Sequence, residues 1–410
     1  MKYILLIGDG MGDLPVPSLG DKTPLEAAVK PAIDRLARAG EQLLVRTVPE
    51  GFPPGSDVAN LSLLGYEPDK YYTGRAPLEA ASMGVKIAPD EVAFRCNLVT
   101  IDRPGQGRVI MRDYSAGHIS SEEGAELIRA VQEQCGTEQL HLYPGVGYRH
   151  LMVHRGAIPS LTTVPPHDYL DQDVTGFYNG YLATAELKAL MEESAQLLAA
   201  HPVNARRVRQ GQSPANSLWL WGEGRPLQMR SLEDRYQVTG GLISAVDLIK
   251  GLGVCSGLEV INVPGATGYL DSNLEGKARA ALKVLQNRDF VLVHVEAPDE
   301  AGHQGLAAEK VQAIEDFDSR IVGPIVEEMQ RRGEPFRLVV TMDHFTPLAR
   351  RTHAAWPVPM VLYDSRGVGQ PSGSAYSEAN AKAAVAANGL NLKNGTEFFS
   401  RFIGVDENKE

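Results

Sequence analysis

The sequence predicts an α/β protein, a doubly wound sheet interrupted by an inserted α+β domain. Three observations carry that expectation. Short apolar runs at residues 3–7, Phe290–Val295 and Phe336–Thr341 are rich in β-branched residues and are closed by glycine or proline, as buried strands are. Stretches with helical spacing separate them, which indicates βαβ units. The middle third loses this rhythm, and 410 residues are too many for one ordinary core.

Taken in order, the strand at 3–7 stops at Gly8-Asp9-Gly10-Met11-Gly12-Asp13. Thr23-Pro24 opens a helical stretch with Leu25, Ala28, Ile33 and Leu36 on its apolar side, ended by Gly40. A strand at 42–48, a turn at Pro53-Pro54-Gly55 and a helix at 56–64 follow. From 84 to 239 the pattern predicts short strands at 92–100 and 151–154 and helices at 121–134 and 184–200, with Pro165-Pro166 among the joints. After Gly240-Gly241 the alternation resumes. It predicts a helix at 243–249, a strand at 259–263, a helix at 275–286, the strand Phe290–Val295 and one long helix at 309–332. Strands at Phe336–Thr341 and 359–363 and a closing helix from Ser377 complete it. The core is therefore expected at 1–83 and 240–410, and the inserted domain at 84–239.

Composition narrows the function. A formal charge of −11 argues against nucleic acid as a main partner, because that needs a basic face. It leaves room for anionic substrates held by local Arg and Lys. No apolar run reaches membrane-spanning length. Three widely spaced cysteines, Cys96, Cys135 and Cys255, make neither a disulfide framework nor a zinc knuckle and fit a reducing cytoplasm.

Carboxylates and imidazoles collect just beyond the expected strand ends, where open α/β sheets bind ligands. Asp9 follows the first strand. Asp299 and His303 follow Phe290–Val295 and are four apart, so one helical turn brings both to one side. Asp343 and His344 follow Phe336–Thr341, with His353 in the next loop. Carboxylate oxygens mixed with imidazole nitrogens suit Mn²⁺ or Zn²⁺. One such cluster is as well read as a structural pair, and Asp9 alone as a turn cap; clusters at successive strand ends point to a two-metal phosphoryl-transfer site. Ser56 begins a helix after a stiff turn. It is either an N-cap serine or a nucleophile whose phosphate would sit at a helix N-terminus beside a metal.

Gly8-Asp9-Gly10-Met11, Pro53-Pro54-Gly55-Ser56-Asp57-Val58-Ala59-Asn60, Tyr71-Tyr72-Thr73-Gly74-Arg75, Pro298-Asp299-Glu300-Ala301-Gly302-His303 and Asp343-His344 occur in this order. Together they resemble the archaeal-type, cofactor-independent (2,3-bisphosphoglycerate-independent) phosphoglycerate mutases of the alkaline phosphatase superfamily, over almost the whole chain. The resemblance implies an alkaline-phosphatase-like core with an inserted substrate-binding cap domain. It implies two divalent cations, Mn²⁺ first, with Zn²⁺, Mg²⁺ or Co²⁺ as alternatives. Asp9, Ser56, Asp343 and His344 would hold one, and Asp299, His303 and His353 the other. Ser56 would take the phosphoryl group of 3-phosphoglycerate as a phosphoserine, and reoriented glycerate would accept it to give 2-phosphoglycerate. Arg95, His118, Arg149 and Lys277, then Arg206, are the candidates for holding the small phosphorylated substrate; Asp168 and Asn216 rank behind them. Tyr114-Ser115-Ala116-Gly117-His118 and Ser217-Leu218-Trp219-Leu220-Trp221-Gly222 also look like a sister branch proposed to act as homoserine kinases, with the same metal site and another acceptor. A simple phosphatase would result if water discharged the phosphoserine.

Overall fold

The structure, a computed structural model, describes residues 1–156 and 161–404. The chain forms two compact units, one made of Met1–Tyr72 and the chain from Gln228 onward, the other of Thr73–Leu227.

The first unit is built on an eight-stranded sheet. Its order is Asn391–Leu392, Glu41–Val45, Val358–Asp364, Phe336–Thr341, Lys2–Gly8, Phe290–Val295, Gly240–Ile243 and Glu259–Val260. Val358–Asp364 runs antiparallel to both neighbours, and the other pairings are parallel. The N-terminal strand lies between Phe336–Thr341 and Phe290–Val295, with Ile7 opposite both Thr341 and His294. Three parallel strands in this register end along one edge, which brings the chain after Gly8, after Val295 and after Thr341 together.

Some expected elements differ. Residues 240–243 form a strand not expected from the sequence, and the helix runs Asp247–Cys255 rather than 243–249. Glycine is required at 240 because a Cβ there would lie 2.5 Å from the Phe290 carbonyl oxygen. The strand at 259–263 shrinks to Glu259–Val260. The long helix expected at 309–332 divides into Ala307–Phe317 and Gly323–Arg332 around a π-helical turn, Asp318–Val322. There the buried Asp318 accepts from the N–H groups of Ala32 and Ile33 (3.2 and 2.7 Å) and caps the helix Pro31–Ala39, whose own flanking Lys30 offers no cap. A last helix, Gly395–Ile403, buries Phe398, Phe399 and Phe402.

The second unit is α+β. The strand Glu91–Asp102 pairs antiparallel with Ile110–Asp113, Arg149–Arg155 and Ser217–Gly224, and Leu140–Val146 joins beyond Arg149–Arg155. The helices Ser121–Cys135 and Ala185–Ala200 supply Leu127, Ile128, Leu187, Leu190 and Met191 to a core that centres on Trp219 and Tyr181.

Candidate metal centre and catalytic serine

The site grows from the edge where the three strands end. Asp9 directly follows the N-terminal strand and is followed by Gly10 at φ +60°, where a Cβ would meet Asp299 Oδ1 at 2.6 Å and Thr346 Oγ1 at 2.5 Å. Only glycine lets this loop close on the others. Asp343 is held on every side. Its Oδ1 accepts from the N–H of His344 (2.9 Å) and Gly10 (3.3 Å), its Oδ2 from Asn60 Nδ2 (2.9 Å), and its carbonyl from Thr47 Oγ1 (2.6 Å). Asn60 Nδ2 also donates to the Ser56 carbonyl (2.8 Å), which ties this aspartate to the first turn of the serine's helix.

That helix, Ser56–Leu63, has Gly55 as its N-cap, so Ser56 is not the cap residue. Its hydroxyl serves elsewhere: Oγ lies 3.0 Å from His344 Nε2. The same Nε2 is 3.5 Å from Asp9 Oδ1 and 3.5 Å from Asp343 Oδ2. Asp9, Ser56, Asp343 and His344 thus converge on one point.

The remaining three ligand candidates form a second point. Asp299 and His303 share the helix Ala297–Gln304 and approach to 3.2 Å, and His353 Nε2 lies 3.5 Å from Asp299 Oδ1. Thr346 Oγ1 donates to the same carboxylate. Nδ1 of His303 and of His353 face the Arg351 and Pro54 carbonyls (3.0 and 3.3 Å), which can only accept. Each Nδ1 is therefore the protonated nitrogen, and the two Nε2 atoms meet 2.9 Å apart. At that distance the two Nε2 atoms share a proton in the metal-free protein, and both can turn their lone pairs, with the Asp299 carboxylate, to a cation. The rings of His344 and His353 lie 4.0 Å apart, so the two points adjoin.

Charge in this dry site is crowded. Burial, with the Asp343 and Asp299 carboxylates, pushes Asp9 well above the ordinary carboxylate range, and its Oδ1 has no hydrogen-bond partner. Burial would also raise Asp343 and Asp299, but His344 and His294 hold the first below its usual value and His303 and His353 the second. The bond to Asp299 pushes His303 up to about 9. Three carboxylates, three imidazoles and an orphaned oxygen in so small a volume fit divalent cations.

The sequence reading passed over His294. It lies inside Phe290–Val295, where burial opposes its protonation but the Asp343 and Glu296 carboxylates push it up to about 9. Among the described residues, ligand atoms within 4.8 Å of one another are offered by Asp299, His344 and His353, and by Asp9, His294 and Asp343. The available signal was a lone imidazole in an otherwise apolar strand. Thr47 and Thr346 carried no signal, and Asn60 only its place in the 53–60 block.

The expected substrate residues fare unequally. In the second unit Arg95 stacks on Trp221 (3.9 Å) and pairs with Glu79 (3.0 Å). Trp221 meets His167, His167 meets Tyr114, and Tyr114 meets both His118 and Tyr148, on which Arg149 lies. Arg95, His118 and Arg149 thus share one aromatic chain. Arg206 stands outside it, exposed and paired with Glu123 (3.0 Å). Lys277, in the first unit, is a correction: it is fully buried, and its ammonium is engaged by Glu296 (2.7 Å) and the His294 carbonyl (2.9 Å), which leaves no surface to offer a substrate. Asn216 binds the N–H and carbonyl of Ile101 (both 2.8 Å), a backbone brace. Asp168 is exposed, 3.7 Å from His167 Nε2.

A family model described as 2,3-bisphosphoglycerate-independent phosphoglycerate mutase matches residues 37–204. The probable 2,3-bisphosphoglycerate-independent phosphoglycerate mutase of Geobacter sulfurreducens is 52% identical, covering 94% of this chain and 96% of its own. The corresponding mutase of Methanosarcina barkeri is 51% identical over 93% and 95%. Among solved structures, the PH0037 protein from Pyrococcus horikoshii has a TM-score of 0.81 at 27% identity over 99% and 98% of the two chains. The cofactor-independent phosphoglycerate mutase from Thermoplasma acidophilum has a TM-score of 0.65 at 28% identity over 98% and 99%.

Proposed function

Because this chain belongs to the 2,3-bisphosphoglycerate-independent phosphoglycerate mutases, we propose that Ser56 is the nucleophile with which it interconverts 3-phosphoglycerate and 2-phosphoglycerate. The single observation that carries this reading is the Ser56 hydroxyl 3.0 Å from His344 Nε2, inside a ring of carboxylates and imidazoles. Asp9, Ser56, Asp343 and His344 would hold one divalent cation, and Asp299, His303 and His353 the second. The mixed oxygen and nitrogen donors suit Mn²⁺ or Zn²⁺, and the family resemblance puts Mn²⁺ first, ahead of Zn²⁺, Mg²⁺ or Co²⁺. When bound, such cations supply Lewis acidity that favours the serine alkoxide and offsets phosphoryl charge.

The residues do the rest. Ser56 Oγ bonds to phosphorus as the bond from phosphorus to the C3 oxygen breaks, and the proton lost by Ser56 passes to that departing oxygen, leaving the C3 hydroxyl of glycerate. The C2 hydroxyl of glycerate then takes the group back, losing its own proton and restoring Ser56. The start of the helix at Ser56 presents its first N–H groups to the phosphate. Arg95, His118 and Arg149 would hold carboxylate and phosphate, Arg by paired contacts. The relatives' names favour the mutase over the homoserine kinase and the phosphatase. No helix among the described residues is long and apolar enough to cross a membrane, and the unpaired Cys96, Cys135 and Cys255 suit a reducing cytoplasm.

The test is an enolase-coupled assay of 3-phosphoglycerate with Mn²⁺, run beside ATP plus homoserine. Turnover of the first alone is expected, falling to background in Ser56→Ala with the melting temperature of the metal-free protein preserved. Near-wild-type turnover by Ser56→Ala would rule out this nucleophile.

A further inference from the structure

His294 is the one polar side chain of Phe290–Val295, a strand in which every residue is buried. Neither of its ring nitrogens has a hydrogen-bond partner. A polar ring sealed in this way costs free energy unless something engages it. On one side Nε2 faces Asp9 Oδ2 at 3.4 Å and Asp343 Oδ2 at 3.9 Å. On the other, Nδ1 faces Glu296 Oε1 at 3.4 Å. Glu296 is itself immobilised: Ser244 Oγ (2.8 Å) and the Ala245 N–H (2.7 Å) donate to Oε1, and Lys277 Nζ (2.7 Å) to Oε2. Lys277 also binds the His294 carbonyl, so strand and side chain are set by one ammonium (2.9 Å). A lysine-fixed carboxylate behind an imidazole, with carboxylate oxygens in front, is the arrangement that orients a metal-ligating histidine and strengthens it as a donor.

We propose that His294 is a ligand of the cation held by Asp9 and Asp343, so that this position takes Asp9, Ser56, His294, Asp343 and His344. Donors about 2.1–2.3 Å from a common ion stand roughly 3.0–3.8 Å from one another. The Asp9 separation falls inside that range, and Asp343 needs a small side-chain shift. Charge decides against a separate third cation. Asp9, Asp343 and Glu296 carry three negative charges and Lys277 one positive; one divalent ion brings the sum to zero, whereas another would leave an uncompensated double charge in a dry site. The buried Lys277 thereby acquires a role as a positioning residue.

The inference rests on the two-cation reading, and one experiment separates their failures. In crystals of the full chain grown with Mn²⁺, the anomalous peak between Asp9 and Asp343 should lie about 2.2 Å from His294 Nε2. A peak held by both aspartates with His294 beyond coordination distance overturns this inference and leaves the two-cation reading standing; no peak at either position overturns both. In solution, calorimetric titration of His294→Gln should show one Mn²⁺ site weakened by at least about 10-fold, with the site at Asp299, His303 and His353 unchanged. Wild-type affinity at both sites in that variant would overturn the assignment.

Discussion

Lys310 and Asp13 form an ion pair 2.8 Å long whose two side chains are almost wholly sealed from water. Lys310 Nζ also donates to the carbonyls of Gly12 (3.1 Å) and Thr346 (2.8 Å), while Asp13 accepts from the Leu348 N–H (3.1 Å). The pair ties the loop that carries Asp9 to the loop that carries Asp343 and His344. Removing one partner would strand the other's charge, so Lys310→Met is expected to cost about 3–5 kcal/mol. Urea unfolding measures it, and a loss below about 1 kcal/mol would place the pair among weak surface bridges instead.

Asn60 bridges the Ser56 carbonyl and Asp343 Oδ2 through one amide. In Asn60→Leu the carboxylate loses its only side-chain donor among the described residues. We expect kcat and Mn²⁺ affinity to fall together by about 10–100-fold, with little change in the melting temperature of the chelator-treated protein. Wild-type kcat in this variant would reduce Asn60 to packing.

Metal removal should destabilise the fold as well as stop turnover. Adding Mn²⁺ to chelator-treated protein at about 100 times its Kd should restore about 2.7 kcal/mol per site. Thermal melts across a Mn²⁺ series read this directly; a midpoint indifferent to Mn²⁺ contradicts the metal centre.

The same centre has a pH signature. His303, pushed up to about 9 by Asp299, gains stability from its proton in the metal-free protein. Its folded value lies above its unfolded one, so that contribution is whole below about pH 6.5 and lost as pH rises through about 9. Protons compete with the ion for Nε2, so Mn²⁺ affinity should rise between pH 7 and 9. His303→Ala should flatten that rise, which calorimetry at three pH values checks.

His150 predicts the opposite slope. Burial pushes it down to about 3, and its Nδ1 accepts from the Gly145 N–H (3.0 Å), as a neutral ring must. Below about pH 6.5 the unfolded chain takes a proton that the folded one refuses, so stability falls with pH by up to about 1.4 kcal/mol per unit until about 3. Urea midpoints of the full chain between pH 6.5 and 4 should show this loss, reduced in His150→Leu; an unchanged slope would remove His150 as its cause.

Periodicity reached much of the fold because strand and helix are local decisions. The runs Phe290–Val295 and Phe336–Thr341 are strands as read, and the four-residue spacing of Asp299 and His303 falls on one helix. It failed where a neighbour overrides local preference. No strand is read at 240–243, yet the chain forms one there beside Phe290–Val295, and position 240 must be glycine because the Phe290 backbone leaves no room for a Cβ. The helix read at 309–332 does run without a gap, but it widens into a π turn at Asp318–Val322, where Asp318 caps Pro31–Ala39.

By itself, the sequence determined the family, the α/β class and the donor types of the centre, since each of these is written in residue identity and short spacing. Only the tertiary structure decided how those donors group and which charges are spent internally. Lys277 reads as a free cation until Glu296 is seen 2.7 Å away, and His294 reads as strand filling until Asp9 and Asp343 are seen in front of it. The reason is physical: a donor's chemistry belongs to its residue, but its partner is chosen by strand order and register, which bring together groups hundreds of residues apart.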